Sequence, residues 1–352
     1  MRSRRIVLLL LREAGIGLAL VLLVILFLAL APNFGTRLNF TNILSQISIN
    51  TAVAVGMTFV ILLGGIDLSV GSVLALAAVV ASIFLSSDSP HSVVERWHLQ
   101  PGASILLACV ASIVVGMGCG FFNGWVSERW KIHSFVVTLG MLNIARGAAL
   151  EVSASRTSSS FPSGFNALSN ATLGYGIVHA PVIFLIAAAA VVAGRFVLAR
   201  TVFGRLVYAI GNNEEAVRLS GHDPGWIKVV AFTLTGAMVG VAAIMQMIRL
   251  GISSPILSVG AELNAIAAVV IGGTSMSGGK GSMVGTFLGA CIMGILNNGL
   301  LLLGMGDFAR QIVTGFMIIL AVIVDKYRAR AVVRITSWAP AHAEPSPGLP
   351  AP

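Results

Sequence analysis

Residues 180–226 read APVIFLIAAAAVVAGRFVLA and then RTVFGRLVYAIGNNEEAVRLSGHDPGW. The first half, 180–199, is an apolar run of the length needed to cross a bilayer, about 20 residues as a helix. The second half, 200–226, is basic, polar and dense in helix punctuation. Asn213 is a good N-cap and Glu214 and Glu215 suit a first helical turn. Gly221 is a natural stop, and Asp223-Pro224 starts the next apolar run as N-cap and first helical residue. A short helix over 214–220, held between two membrane spans, reads as a docking element. A plain solvated loop would not need so compact a set of signals.

Outward from this stretch the same alternation continues. Apolar segments fall near 14–31, 43–63, 68–86, 103–122, 134–151, 180–199, 227–248, 259–273, 282–303 and 309–325, and the short eighth reads as a half-helix or a tilted segment. Hydrophobic residues make up 57% of the 352-residue chain and charged residues 10%, with mean hydropathy +0.94. A soluble domain carries roughly 25% charged residues, so lipid must solvate much of this surface. The expected fold is an all-α polytopic membrane protein of about ten transmembrane helices. A signal-peptide reading of 1–31 would use Arg2, Arg4 and Arg5 as the basic region. The apolar stretch Ala14 to Ala31 exceeds the usual limit of about 15 residues, which favours a retained first helix.

The net charge of +9 is a topology signal rather than a nucleic-acid footprint. With the N-terminus inside, 16 of the 22 Lys and Arg fall on inner segments and 6 on outer ones. That asymmetry predicts both termini in the cytoplasm. The chain then divides into a cytoplasmic N-terminus (1–13), a transmembrane domain (14–325) with the cytoplasmic loop 200–226, and a cytoplasmic tail (326–352). Five prolines after Arg334 and no apolar period make that tail read as disordered. No ATPase or binding domain fits in the remainder.

Several lookalikes fail. Gly273 to Ser282 approaches a phosphate loop, but Thr274 and Gly281 break the pattern and no strand precedes it. Gly304-Met305-Gly306 lacks the strand–helix context of a dinucleotide site. Cys109, Cys119 and Cys291 and the six histidines show no metal spacing, and no catalytic constellation is present. The pairs Gly116/Gly120, Gly236/Gly240 and Gly285/Gly289 are helix-packing signals. Asp67, Glu151, Glu262 and Asp307 fall at helix ends, which weakens an ion-coupled carrier reading. In Gly64 to Ser72, Asp67 or Ser69 caps a turn on one reading and lines a break in the permeation path on the other. The amides Gln46, Asn50, Asn143, Asn264, Asn297 and Asn298 lie within apolar spans. They are interhelical hydrogen bonders on one reading and pathway lining on the other.

Four segments carry a resemblance: GGIDLSVGS (64–72), GNNEEAVRLSG (211–221), GGTSMSGGKGS (272–282) and GILNNGLLLLG (294–304). In this order and spacing the chain resembles the ribose-type permease family of bacterial ABC importers over about 40–325. The resemblance implies a type II importer-like permease in the inner membrane, pairing with a second permease chain, most simply as a homodimer. It implies two cytoplasmic ATPase subunits, which bind ATP and Mg and leave this chain without a cofactor, and an external solute-binding protein. Glu214, Glu215, Arg218 and Gly221 would transmit ATPase motion. Asp67, Ser69, Asn50, Asn264, Asn297 and Asn298 are the candidates for pathway or gating. The implied solutes are monosaccharides, polyols and similar small molecules. Leu301 stands where many sugar-transporting members carry Asn, and His222 where an aliphatic residue is common. Permeases for branched-chain amino acids, urea or nucleosides share parts of the pattern, and an ion-coupled secondary carrier is the other alternative.

Overall fold

The computed structural model describes residues 2–173 and 180–337, and the side chains of 14–173 and 180–323. Its helices are α1 (Arg2–Leu30), α2 (Arg37–Leu62), α3 (Val70–Leu85), α4 (Pro101–Trp130), α5 (Ser134–Val152), α6 (Ser163–Ala167), α7 (Val182–Arg200), α8 (Val202–Asn212), α9 (Glu214–Leu219), α10 (Pro224–Leu250), α11 (Ala261–Ile271), α12 (Met283–Leu302) and α13 (Asp307–Ser337). One antiparallel ladder joins β1 (Thr172–Leu173) to β2 (Ala180–Pro181). Each expected apolar segment lies largely within one helix. Among the described residues six helices, α2, α4, α5, α7, α10 and α12, are each long and apolar enough to cross a membrane. Shorter apolar helices cover Ala14–Leu30, Val70–Leu85 and Ala261–Ile271. The last helix runs on to Ser337, past the expected boundary at 325 and into the segment read as tail. Residues 338–352, also read as tail, lie outside the described residues.

The centre of the bundle is α2. Its second half, from Ile47 to Leu62, is buried almost without interruption, as expected of a helix apolar all round its circumference. It packs on α10, α12, α7 and α11. By contrast, α1 and α13 expose Leu18, Leu22, Ile25, Phe308, Ile312 and Phe316, an outward face suited to lipid.

Glycines set the closest approaches. A Cβ on Gly116 would stand 2.1 Å from the Gly236 carbonyl oxygen, and one on Gly236 2.0 Å from that of Gly116. One turn on, a Cβ on Gly120 would meet the Phe232 carbonyl at 2.2 Å. The Ser112 hydroxyl donates to the Gly240 carbonyl at 2.8 Å. The α4 and α10 backbones therefore touch, antiparallel, along a seam that no side chain can enter. A second seam joins α12 to α11, where Gly285 and Gly289 face the carbonyls of Gly272 and Ala268.

The glycine-rich turn 273–281 is structural. Gly273, Gly278 and Gly279 have positive φ (83°, 84° and 71°). The Gly279 N–H donates to the Leu62 carbonyl, Ser275 N–H to Lys280 and Gly278 N–H to Ser275, so the amides a phosphate would need are engaged by protein. Tyr208 and Asn212 of α8 donate to the Gly281 and Gly279 carbonyls at 3.0 and 3.2 Å. This amphipathic α8, with Val207 and Ile210 buried, occupies what the sequence reading treated as plain connector.

Candidate functional site

Two features lie toward opposite ends of α10. At its start, α9 begins where Asn213 Oδ1 accepts the Ala216 N–H at 3.0 Å. It ends where Gly221 takes φ 87° and the Gly221 and His222 amides return to Arg218 and Val217, a Schellman closure that spends two free carbonyls. Val217 is its buried anchor. Asp223 accepts the Gly225 N–H at 2.9 Å and Pro224 opens α10.

The four residues of the docking set divide by role. Glu214 remains exposed but reaches toward α10, where its carboxylate meets Lys228 Nζ at 2.8 Å. Lys228 also pairs with Glu128 at the end of α4 (2.9 Å), and Glu128 with Lys131 (2.7 Å). This chain of charges fastens α9 to α10 and α4. Glu215 and Arg218 face outward, exposed and paired with each other at 2.6 Å. Leu219, next in the chain to Arg218, is 79% exposed, and Trp226 in the first turn of α10 is exposed as well. The result is an outward helix face with one cation, one anion and an apolar side chain, on a base held by the half-buried Lys228 and Glu128.

Toward the far end of α10, a cavity of about 180 Å³ gathers Gln46 and Asn50 of α2, Gln246 and Arg249 of α10, Asn264 of α11 and Asn297 of α12. The structure thus brings together Asn50, Asn264 and Asn297. It adds Gln246, an amide inside an apolar span that the sequence reading passed over, and Arg249, counted there only as a loop charge. The irregular stretch 252–260 and the first turn of α11 supply Ser258, Val259 and Ala261. Gly71 near the start of α3 packs against the Ser258 carbonyl and Glu262. In a membrane, a short helix entered through irregular backbone is tolerated only against protein or a polar cavity.

The other three candidates lie elsewhere. Asn298 exchanges two amide hydrogen bonds with Asn39 of α2, at 3.0 and 2.9 Å, so it pins α12 to α2. Asp67 and Ser69 are buried with Asn123 of α4. Ser69 is the N-cap of α3 but makes no side-chain cap, because its hydroxyl donates to Asp67 instead, at 2.6 Å. Glu151, Glu262 and Asp307 fall in terminal turns of α5, α11 and α13.

The loops at the far end are tied together. Asp88 accepts from the Ser159 N–H (3.0 Å) and from the Ser86 hydroxyl, and Ser158 pairs with Ser253. Slight burial raises the Asp88 carboxyl, but the bonds from Ser86, Ser159 and Ser160 outweigh it and hold it below the usual aspartate value. Among the described residues no group of His, Cys, Asp and Glu is placed to hold a metal ion.

Residues 39–322 match the family described as branched-chain amino acid transport system / permease component. The ribose import permease protein RbsC of Escherichia coli K12 is 38% identical over 311 residues, covering 88% of this chain and 92% of that protein. The L-arabinose ABC transporter permease protein AraH of Azospirillum brasilense is 34% identical over 322 residues, 91% of this chain and 89% of its own. The galactose/methyl galactoside import permease protein MglC of E. coli K12 is 32% identical over 322 residues, 90% and 95% of the two chains. No solved structure matches. With the match spanning nearly every helix of the bundle, the chain belongs to this family of ABC transport permeases.

Proposed function

We propose that this chain is the membrane subunit of an ATP-driven importer and forms the path for a monosaccharide or a similar polyhydroxylated solute. The observation that carries the solute class is the amide-lined cavity. Gln46, Asn50, Gln246, Asn264 and Asn297 each offer donors and an acceptor, the equipment that matches hydroxyl groups. The lining has no acidic side chain to meet the ammonium of an amino acid and no aromatic ring to stack on a nucleobase. It also has no carboxylate to carry a coupling proton. The names of the relatives point the same way, toward ribose, L-arabinose and galactose.

In this reading ten helices cross the inner membrane and both termini are cytoplasmic. The outward face of α9, with Glu215 and Arg218, receives the motion of cytoplasmic ATPase subunits. Glu214 and Gly221 hold α9 in place. A solute-binding protein delivers cargo at the other face, and a second copy of the chain completes the path. Asp67 and Ser69 brace the break between α2 and α3. The chain itself catalyses nothing and binds no cofactor; ATP and Mg belong to the partners.

The test of solute class is a thermal-shift screen of the binding protein encoded beside this chain, followed by uptake of its best ligand. Stabilisation by a pentose, hexose or polyol supports the reading. Stabilisation by leucine, urea or a nucleoside instead would move the chain to another branch of the family.

A further inference from the structure

Asp67 sits in the short segment between α2 and α3, 2% exposed. Its Oδ1 accepts both the Ser69 N–H (2.9 Å) and the Ser69 hydroxyl (2.6 Å). Asn123 of α4 donates its amide N–H to that hydroxyl at 3.0 Å, and its side chain also hydrogen-bonds the carboxyl group, a contact that taken alone favours the charged form and that burial opposes. Asn123, 1% exposed, keeps its amide oxygen buried with no hydrogen-bond donor. Two facts then stand together: a buried carboxyl group with no counter-ion among the described residues, and, on a side chain that touches it, a buried amide oxygen lacking a donor.

The charged neighbours do not resolve this. Glu128, Lys131 and Lys228, beside Gly64–Ile66, are committed to one another and to Glu214. His133 lines that same cavity. From α5, Ser134 and Thr138 bond the backbone of Ile66. Cys119 on α4 also lies near Asp67. Beyond Gly71 lies Glu262, a second carboxyl group, whose nearby opposite charge is Arg146. An isolated carboxylate so placed would carry a large desolvation cost, and buried groups of this kind neutralise instead.

We infer that Asp67 holds a proton in the described conformation, and that its O–H supplies the missing donor to the Asn123 amide oxygen, latching the α2–α3 break to α4. The donor count then closes: Ser69 satisfies one oxygen of the acid, and the acid satisfies Asn123. A movement that drew α4 away from this segment would admit water and let the acid ionise, so opening the latch releases a proton.

The test is infrared spectroscopy of the full chain in lipid, comparing wild type with Asp67→Asn and, independently, wild type with and without carbonyl-labelled aspartate. The expected result is a protonated-carboxyl band at neutral pH that is absent from the variant and shifts with the aspartate label, which leaves Glu262 unaffected. The melting temperature of Asp67→Asn should match wild type at acid pH and exceed it by a growing margin as pH rises above about 4, because folding of wild type must then take up a proton that the amide does not need, while Asp67→Ala should melt below Asp67→Asn throughout. If the label shows only carboxylate bands, the proton is absent and the inference fails whether or not the variants fold. Stabilisation of wild type by sodium or potassium, lost in Asp67→Asn, would mean that a cation occupies the site and would also overturn it.

Discussion

Asn213 starts α9 with a single side-chain oxygen, bonded to the Ala216 N–H. Asn213→Ala should cost about 1 kcal/mol of local helix stability, read as faster amide hydrogen exchange across 214–219. Unchanged exchange would mean that the Glu214–Lys228 pair alone holds the helix. Glu215 and Arg218 make the opposite case. Their ion pair is exposed, and exposed pairs add little to stability. Glu215→Lys should therefore leave the melting temperature unchanged and abolish solute-stimulated ATP hydrolysis by the assembled transporter. Retained stimulation would remove α9 from the coupling role. Capping of this kind is legible in a sequence because its partners lie within three or four residues. The bridge from Lys228 to Glu128 and the Asn39–Asn298 exchange were not, since each joins residues far apart in the chain.

At the scale of elements, the two glycine seams decide which helices touch. On one helix, α4, Gly116 faces the α10 backbone while nothing lies within 4 Å of a Cβ on Gly118. Gly118→Ala should be neutral or stabilise by up to about 1 kcal/mol, because glycine is a poor helix former. Gly116→Val should force α4 and α10 apart and lower the yield of folded protein in detergent. Equal behaviour of the two variants would contradict the seam. Hydropathy gave the positions of the long helices because burial in lipid imposes one simple composition rule. It could not show α8, whose short apolar face is diluted by Arg205 and Asn212. Nor could it show Gln246, an amide averaged away within a strongly apolar run. The glycine pairs announced close packing; which pair met which depended on the tertiary fold.

For the whole molecule, charge asymmetry implies an orientation that single cysteines can read. With Cys109, Cys119 and Cys291 replaced, a cysteine at Ser87 or Ser169 should react with an impermeant thiol reagent applied outside intact cells. One at Ser220 should react only after the membrane is opened. The reverse pattern would invert the topology and place α9 away from any cytoplasmic motor. In the proposed function the amide cavity receives solute and α9 receives work from the ATPase subunits. The most direct measurement is therefore solute uptake into proteoliposomes holding this chain with the ATPase and binding protein encoded beside it. Uptake that requires ATP inside, requires the loaded binding protein and persists when proton and sodium gradients are collapsed is the predicted result. Uptake by this chain alone, driven by an ion gradient and indifferent to ATP, would contradict it.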